Sequence, residues 1–284
     1  MVNFTLSYVG ALADNNVLDM YDASRALAGF QRSLALTTHL ILNGEIITQA
    51  PALKGASIIS STPEPGSWKV TAVVIAGLWT VSTASKDTVP GHLLFSAYDY
   101  VVRSTLGFPV DFDETLMASQ DKHLEKNRIT AEKMDSLIEK TESSVADMHR
   151  PFVASKSATS ASIVGSDDYG KKEPIGPELS ILTYDYIATS KLEDGVFELD
   201  GIVSSFNLNT FKGRVFSLED QRPIPFEISA DRREGRMILD LANSLRENAS
   251  KSGRDAGLVR LRVRKYVSAN GRLKSLIVFG VDPI

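Results

Sequence analysis

Strict alternation of apolar and polar residues is clearest near the C-terminus, in residues 258–281. Leucine and valine side chains fall on one side of a strand there, and Arg260, Arg262 and Arg264 fall on the other, because successive strand residues point to opposite faces. Asn270-Gly271 follows, and both residues tolerate the positive φ of a type I′ turn. The pattern predicts a β-hairpin with one dry and one solvated side.

The pattern of the preceding hundred residues predicts a barrel that this hairpin completes. Three strands are predicted at 197–206, 211–218 and 224–228, and a helix at 235–248. A helix between the third and fourth of five strands is the arrangement of an OB-type barrel. We therefore predict a five-stranded OB-like β-barrel.

The N-terminal half shows mixed periodicity. Strands are predicted at 3–9, 56–61 and 69–75, and helices at 23–42, 91–106 and 130–148, with Asp22 as the N-cap of the first helix. The apolar stripe of the 130–148 helix predicts packing on its own domain, with self-association through it as the alternative. The fold class is thus α+β, an N-terminal mixed α/β domain followed by the barrel.

A change of composition after Pro151 predicts the domain boundary. Residues 155–178 are rich in Ser, Gly, Pro and Lys and poor in large apolar side chains, which is typical of a linker. We therefore predict an N-terminal α+β domain at 1–154, a flexible linker at 155–178 and the OB-like barrel at 179–284.

Composition places the chain among ordinary globular proteins. Of its 284 residues 43% are hydrophobic and 23% charged, and none is cysteine, which excludes disulfides and thiol nucleophiles. No secretory signal is recognised at the start, and the apolar stretch 70–84 is shorter than the ~20 residues of a membrane span. We expect a cytoplasmic protein that does not associate with membranes.

Charge is distributed unevenly along the chain. The net charge is −4, but residues 179–284 hold 16 Lys and Arg against 14 Asp and Glu, and residues 256–281 hold six basic residues and no acidic one. A local basic field on an acidic protein attracts anionic partners.

These basic residues define a candidate binding site for nucleic acid or another anionic partner. Its members are Lys212, Arg214, Arg260, Arg262, Arg264, Tyr266, Arg272 and Lys274. Barrels that bind single strands combine a basic groove with aromatic platforms, for which Phe206, Phe211 and Tyr266 are candidates. The competing interpretation is that the arginines pair with acids such as Glu219, Asp231 or Glu234 and that the phenylalanines belong to the core.

No sequence motif assigns catalysis. Phosphate-binding loops, nucleophile elbows and metal-protease motifs are absent, and the four histidines are far apart in the sequence. We predict no cofactor, no metal and no catalytic residues.

The motifs "GSW" at 66–68 and "SSFNLNTFKGR" at 204–214 resemble a family of uncharacterised bacterial proteins. In that family an N-terminal α/β domain has a helix ending near "NG" and a Gly-Ser-aromatic hairpin, and a small β-barrel follows it. The resemblance implies this two-domain fold and a bacterial or mobile-element origin. It implies no chemistry.

Two functions are consistent with these patterns. The first is a non-enzymatic binding or assembly protein, whose barrel engages a protein or nucleic-acid partner and whose first domain self-associates. The alternative is an effector or enzyme with a nucleotide or small-ligand site between the domains, for example in anti-phage defence, because interdomain crevices commonly hold ligands.

Overall fold

The chain divides into two units, Met1–Ile187 and Ala188–Ile284. The computed structural model describes residues 2–61, 68–76, 89–108, 110, 112, 116, 127–166, 172–220, 222–233, 235–250, 257–268, 271 and 273–284. The predicted fold class is confirmed, because the first unit is a mixed α/β region and the second is a closed β-barrel.

An antiparallel sheet forms the centre of the first unit. Its five strands are β1 (Val2–Val9), β2 (Ala56–Ser60), β3 (Trp68–Ala76), β4 (Ser160–Ser166) and β5 (Lys172–Leu179). Their order across the sheet is β2-β3-β1-β4-β5, so the first strand of the chain is its middle strand. Phe4, Leu6 and Tyr8 of β1 are fully buried, whereas Thr5 and Ser7 point to the opposite face.

Helices supply the rest of the core of this unit. The described helices are α1 (Met20–Asn43), α2 (Val89–Thr105), α3 (Ala131–Met148), α4 (Arg150–Val153) and α5 (Ile181–Ala188). Phe4 contacts Phe95 and Tyr98 of α2, with ring centroids 5.2 Å apart in both pairs. Val145 and Met148 of α3 are buried in the same cluster. The prediction that this helix packs on its own domain is therefore confirmed.

The prediction of a flexible linker over 155–178 is wrong for the described residues. Most of this range forms β4 and β5, and β4 pairs with β1 from Val9↔Ser160 to Asn3↔Ser166. The strand lacks large side chains because it lies under an aromatic ring: a Cβ at Gly165 would stand 1.9 Å from Phe95 Cε1. Its serines lie mainly on the other face, so its composition imitates that of a linker.

The N-cap of α1 is Asp19 rather than the predicted Asp22. The Asp19 carboxylate accepts a hydrogen bond from the Asp22 backbone N–H at 3.0 Å. The Asp22 side chain is buried, and it accepts hydrogen bonds from Arg150 Nε and from the Ser155 N–H, each at 2.9 Å. Asp22 thus connects the start of α1 to the segment that follows α4.

The second unit closes into the predicted barrel. Its strands are the two-residue β6 (Lys191–Leu192), then β7 (Phe197–Asn207), β8 (Lys212–Ser217), β9 (Arg222–Ile228), β10 (Leu258–Val267) and β11 (Leu273–Pro283), with α6 (Gly235–Ser250) between β9 and β10. Five strands follow one another as β11-β9-β8-β7-β10, and the pairing of β10 with β11 closes the ring. The strand β9 runs parallel to β11, and the other pairs in the ring are antiparallel.

The C-terminal hairpin holds the barrel together as its sequence predicted. The strand β10 pairs with β11 on one side and with β7 on the other, and Val259, Leu261 and Val263 are buried in the barrel core. Gly271 has a φ of +79° at the turn, which is a conformation that glycine adopts at little cost. Asn270 lies outside the described residues.

Candidate functional site

The three arginines of β10 point away from the barrel core, as their alternation predicted. Arg260 and Arg262 are exposed and Arg264 is half-buried. This arginine row (Arg260, Arg262 and Arg264) lies between β7 and β11. The side chains on those two strands therefore decide how much positive charge the row offers to a partner.

Arg260 is bound to acidic side chains of β7. Its Nε and Nη2 donate to the two carboxylate oxygens of Asp200 at 2.7 and 2.8 Å, and Glu198 lies 3.7 Å from Nη1. The hydrogen bonds from Arg260 lower the pKa of the Asp200 carboxyl. The bidentate geometry fixes the guanidinium against its own barrel, which leaves less of its charge for a phosphate.

Arg262 is directed toward β11 instead. Its Nε lies 3.8 Å from Asp282 Oδ2. The guanidinium can lie over Gly280 because this residue has no side chain: a Cβ there would stand 2.5 Å from the guanidinium. The competing interpretation of the sequence, that the arginines pair with acids, therefore describes Arg260 and Arg262. The acids come from β7 and β11 rather than from Glu219 or Asp231, and Glu234 lies outside the described residues.

Of the other predicted basic residues, the two on β8 do not join the arginine row into one groove. Lys212 and Arg214 lie on β8, and β7 with its acidic side chains separates them from β10. Lys212 is 3.6 Å from Glu227 of β9, and Arg214 is 9% exposed. Lys274 is half-buried on β11. Arg272 lies outside the described residues.

The predicted aromatic platforms are part of the barrel packing. Phe206 stacks on Phe226, with centroids 6.0 Å apart and an interplanar angle of 22°. Phe211 is covered by the Arg233 guanidinium at 4.4 Å from its ring centroid. Tyr266 is half-buried at the end of β10, opposite Ser275. These positions agree with the interpretation that the two phenylalanines belong to the core.

The outer surface of β7, β8 and β9 carries an apolar patch that the sequence analysis missed. Cross-strand pairs join Ile202 to Phe216 and Phe216 to Pro223. Pro225 lies two residues further along β9, and Leu218 follows β8 and is 40% exposed. We call these five residues the apolar face. In the segment "RPIPFEI" the two prolines alternate with Ile224 and Phe226. This alternation was the signal in the sequence that the prolines face outward.

A second surface that the sequence analysis missed is a polar concavity of about 430 Å³ on the sheet of the first unit. It lies on the face opposite Phe4, Leu6 and Tyr8. Its lining residues are Asn3, Thr5, Ser7, Ser61, Lys69, Thr71, Val73, Val164, Ser166 and Lys172. No single stretch of sequence marks this site, because four strands and the residue after β2 contribute to it.

The described residues hold no group of three or more His, Asp and Glu side chains placed to bind a metal ion. Among the helices in the same part of the chain, none combines the length and the apolar character needed to cross a membrane.

Comparison with known families divides the chain much as the structure does. Residues 4–186 match the model described as Domain of unknown function (DUF7946), and residues 195–282 match the Family of unknown function (DUF7947). These matches confirm the two-domain layout that the resemblance implied. No curated protein and no solved structure matches the chain in the same comparisons.

Proposed function

The chain belongs to the DUF7946 family, and we propose that it is a non-enzymatic binding protein whose barrel engages a protein partner. The observation that supports this most directly is the apolar face of β7, β8 and β9. In OB-type barrels the surface of the second and third strands is the usual ligand-binding surface, for oligonucleotides and oligosaccharides in many of them. Here β8 and β9 present Phe216, Pro223 and Pro225 on that surface, and Lys212 and Arg214 precede Phe216 on the same side of β8.

The character of the face favours a protein over a nucleic acid. The centres of protein interfaces are poor in charged residues and rich in aromatic ones, and Phe216 is flanked on both neighbouring strands by the apolar side chains of Ile202 and Pro223. Single-stranded nucleic acids instead need a continuous basic groove and several stacking platforms. Arg260 and Arg262 are paired with acids of their own barrel, and Lys212 lies 3.6 Å from Glu227, so these three basic side chains do not form a continuous basic groove.

A photo-crosslinking experiment tests the proposal. Benzoylphenylalanine replaces Phe216 in one variant and Leu239 in a matched control, whose side chain is 63% exposed on α6. After incubation with extract of the source organism and illumination, we expect one discrete protein adduct from position 216 and none from position 239. Adding Ile202→Asp to the first variant should abolish the adduct while the circular dichroism spectrum stays unchanged. Equal adducts from both positions would contradict the proposal.

The nucleic-acid alternative is tested with a fluorescent single-stranded oligonucleotide. Phosphate contacts make affinity fall steeply with salt, so a real site would show anisotropy that decreases between 50 and 200 mM salt. We expect no saturable binding at either concentration. Binding that is salt-dependent and lost when Arg260, Arg262 and Arg264 are all changed to Glu would replace the protein partner by a nucleic acid.

A further inference from the structure

The polar concavity of the first unit has the properties of a small-ligand site. It lies over the middle of the sheet, where β1 is flanked by β3 and β4. Antiparallel sheets often leave one face to water, so a polar face alone means little. What distinguishes this face is its concave shape, its half-buried hydroxyl and amide groups, and two lysines that pair with no carboxylate among the described residues.

The charge of the concavity comes from Lys69 and Lys172. No carboxylate is among its described lining residues, and neither lysine forms an ion pair with another residue that the structure describes. The barrel surface shows the contrary pattern, in which Arg260 and Arg262 each approach a carboxylate. Two lysines over a lining whose described residues include no acid create a local field that favours an anion.

The positions of the two lysines indicate the shape of that anion. Lys69 pairs with Ser7, and Lys172 pairs with Ser166, which in turn pairs with Asn3. The lysines are thus three strands apart and offset by four residues, which places their Cα atoms roughly 20 Å apart by ordinary sheet spacings. Their long side chains can lean inward, so they suit charges at the two ends of an elongated molecule.

The surface between the lysines is rich in hydrogen-bonding groups. The Thr5 and Thr71 hydroxyls bind each other at 2.8 Å. The Asn3 amide and the Ser7 hydroxyl have no side-chain partner within the described part of the unit. None of the described lining residues is aromatic, so they offer no stacking surface to a flat base. Its volume of about 430 Å³ is within the usual range for small-molecule sites.

We propose that the polar concavity binds an elongated, hydroxylated small molecule with an anionic group at each end. Lys69 and Lys172 hold the two anionic groups, and Asn3, Thr5 and Ser7 bind the hydroxyl groups between them. This site lies within the first unit and does not depend on the function proposed for the barrel.

Isothermal titration calorimetry with matched probes tests the proposal on the full chain. Fructose 1,6-bisphosphate is compared with fructose 6-phosphate, and glucarate with gluconate, so that each pair differs by one terminal anionic group and the two pairs separate phosphate from carboxylate. We expect one of the two compounds with an anionic group at each end to bind at least tenfold more tightly than its counterpart with a single anionic group. Absence of binding by both two-ended compounds would overturn the proposal.

Variants then locate the binding. Lys69→Met and Lys172→Met should each remove the preference for the two-ended compound, whereas Lys140→Met on α3 should leave it unchanged. Methionine keeps most of the side-chain stem of lysine, and unfolding curves establish that the variants fold. If a two-ended compound binds Lys69→Met and Lys172→Met as tightly as the unmodified protein, its site lies elsewhere and the proposal is wrong.

Discussion

At the scale of single residues, His149 is a histidine that the fold keeps neutral. It is completely buried, and its ring lies 2.7 Å from the Val145 carbonyl through Nδ1 and 2.9 Å from the Thr183 hydroxyl through Nε2. A proton on Nδ1 is donated to the carbonyl, so Nε2 accepts from Thr183. Burial lowers the pKa of His149 from 6.5 to about 4. One imidazole thereby connects the end of α3 to α5.

This lowered pKa predicts a loss of stability in weak acid. Between pH 6.5 and 4 the unfolded chain binds a proton at His149 that the folded chain does not bind, so the stabilising contribution is complete above that range and decreases as pH falls. Lowering the pH from 7 to 5 should cost about 2 kcal/mol through this group. Urea unfolding of the unmodified protein and of His149→Gln measures it, and the variant should lose less stability over the same interval. Equal losses of stability in the two proteins would contradict the assignment of this pH dependence to His149.

The partners of single charged residues could not be predicted from the sequence. Asp19 and Asp22 both fit the N-cap preference for short acidic side chains, and spacing alone cannot rank them. The choice is made by Arg150 and Ser155, which lie far along the chain and bind the Asp22 carboxylate. The same limit applies to the arginine row: alternation predicted that Arg260 points outward, but its partner Asp200 is 60 positions away.

At the scale of elements, α1 and α3 are in close contact at Gly29. A Cβ at this position would stand 2.3 Å from the Ser144 carbonyl oxygen. Arg25 binds Asp147 at 2.7 Å, and Arg32 binds the Ser144 hydroxyl at 2.6 Å. The two arginines therefore flank a contact that only a glycine permits.

Gly29→Ala should have two opposite effects on the free energy of unfolding, one through helix propensity and one through packing. Alanine is favoured over glycine inside a helix by about 1 kcal/mol, but the new methyl group would meet backbone, which cannot move aside as a flexible side chain can. We expect a net loss of about 2 kcal/mol, in the range of other overpacked sites. Gly235→Ala at the start of α6 is the control, because a Cβ there meets nothing within 4 Å. Chemical denaturation of both variants decides whether packing or propensity dominates.

One buried hydroxyl of α6 binds the backbone of the barrel in two places. Ser244 accepts a hydrogen bond from the Val203 N–H at 3.0 Å and donates to the Gly257 carbonyl. Val203 lies where the pairing of β7 with β8 is irregular. The helix therefore supplies the hydrogen-bond acceptor for the Val203 N–H in place of the neighbouring strand.

Ser244→Ala should therefore destabilise the barrel although alanine suits a helix. The buried Val203 N–H would lose its partner, which costs about 2 kcal/mol. Asn243→Ala, at the exposed neighbouring position, is the matched control and should change stability little. Hydrogen exchange gives a local measurement, in which the Val203 amide should lose protection in the first variant alone. An unchanged unfolding free energy would show that water replaces the hydroxyl without cost.

At the scale of the whole molecule, the barrel was the predictable part because its strands follow one another closely in the sequence. Turn residues separate β7, β8 and β9, and Gly271 lies at the turn between β10 and β11. The sheet of the first unit is different, since β4 pairs with β1 across about 160 residues of chain. The polar concavity depends on the same distant pairing. No local pattern could therefore have revealed the concavity.

The pairing of β4 with β1 determines which fragments of the chain can fold. A fragment of residues 1–187 retains all five strands of the first sheet, whereas a fragment of residues 1–154 ends at the predicted linker and lacks β4 and β5. Removing them turns the central β1 into an unpaired edge, and such edges promote aggregation. It also uncovers Phe95, which packs against Gly165. We expect the longer fragment to be monodisperse with a cooperative thermal transition, and the shorter one to aggregate. If light scattering and circular dichroism were alike for the two fragments, the 1–154 fragment would be folded, and β4 and β5 would be dispensable.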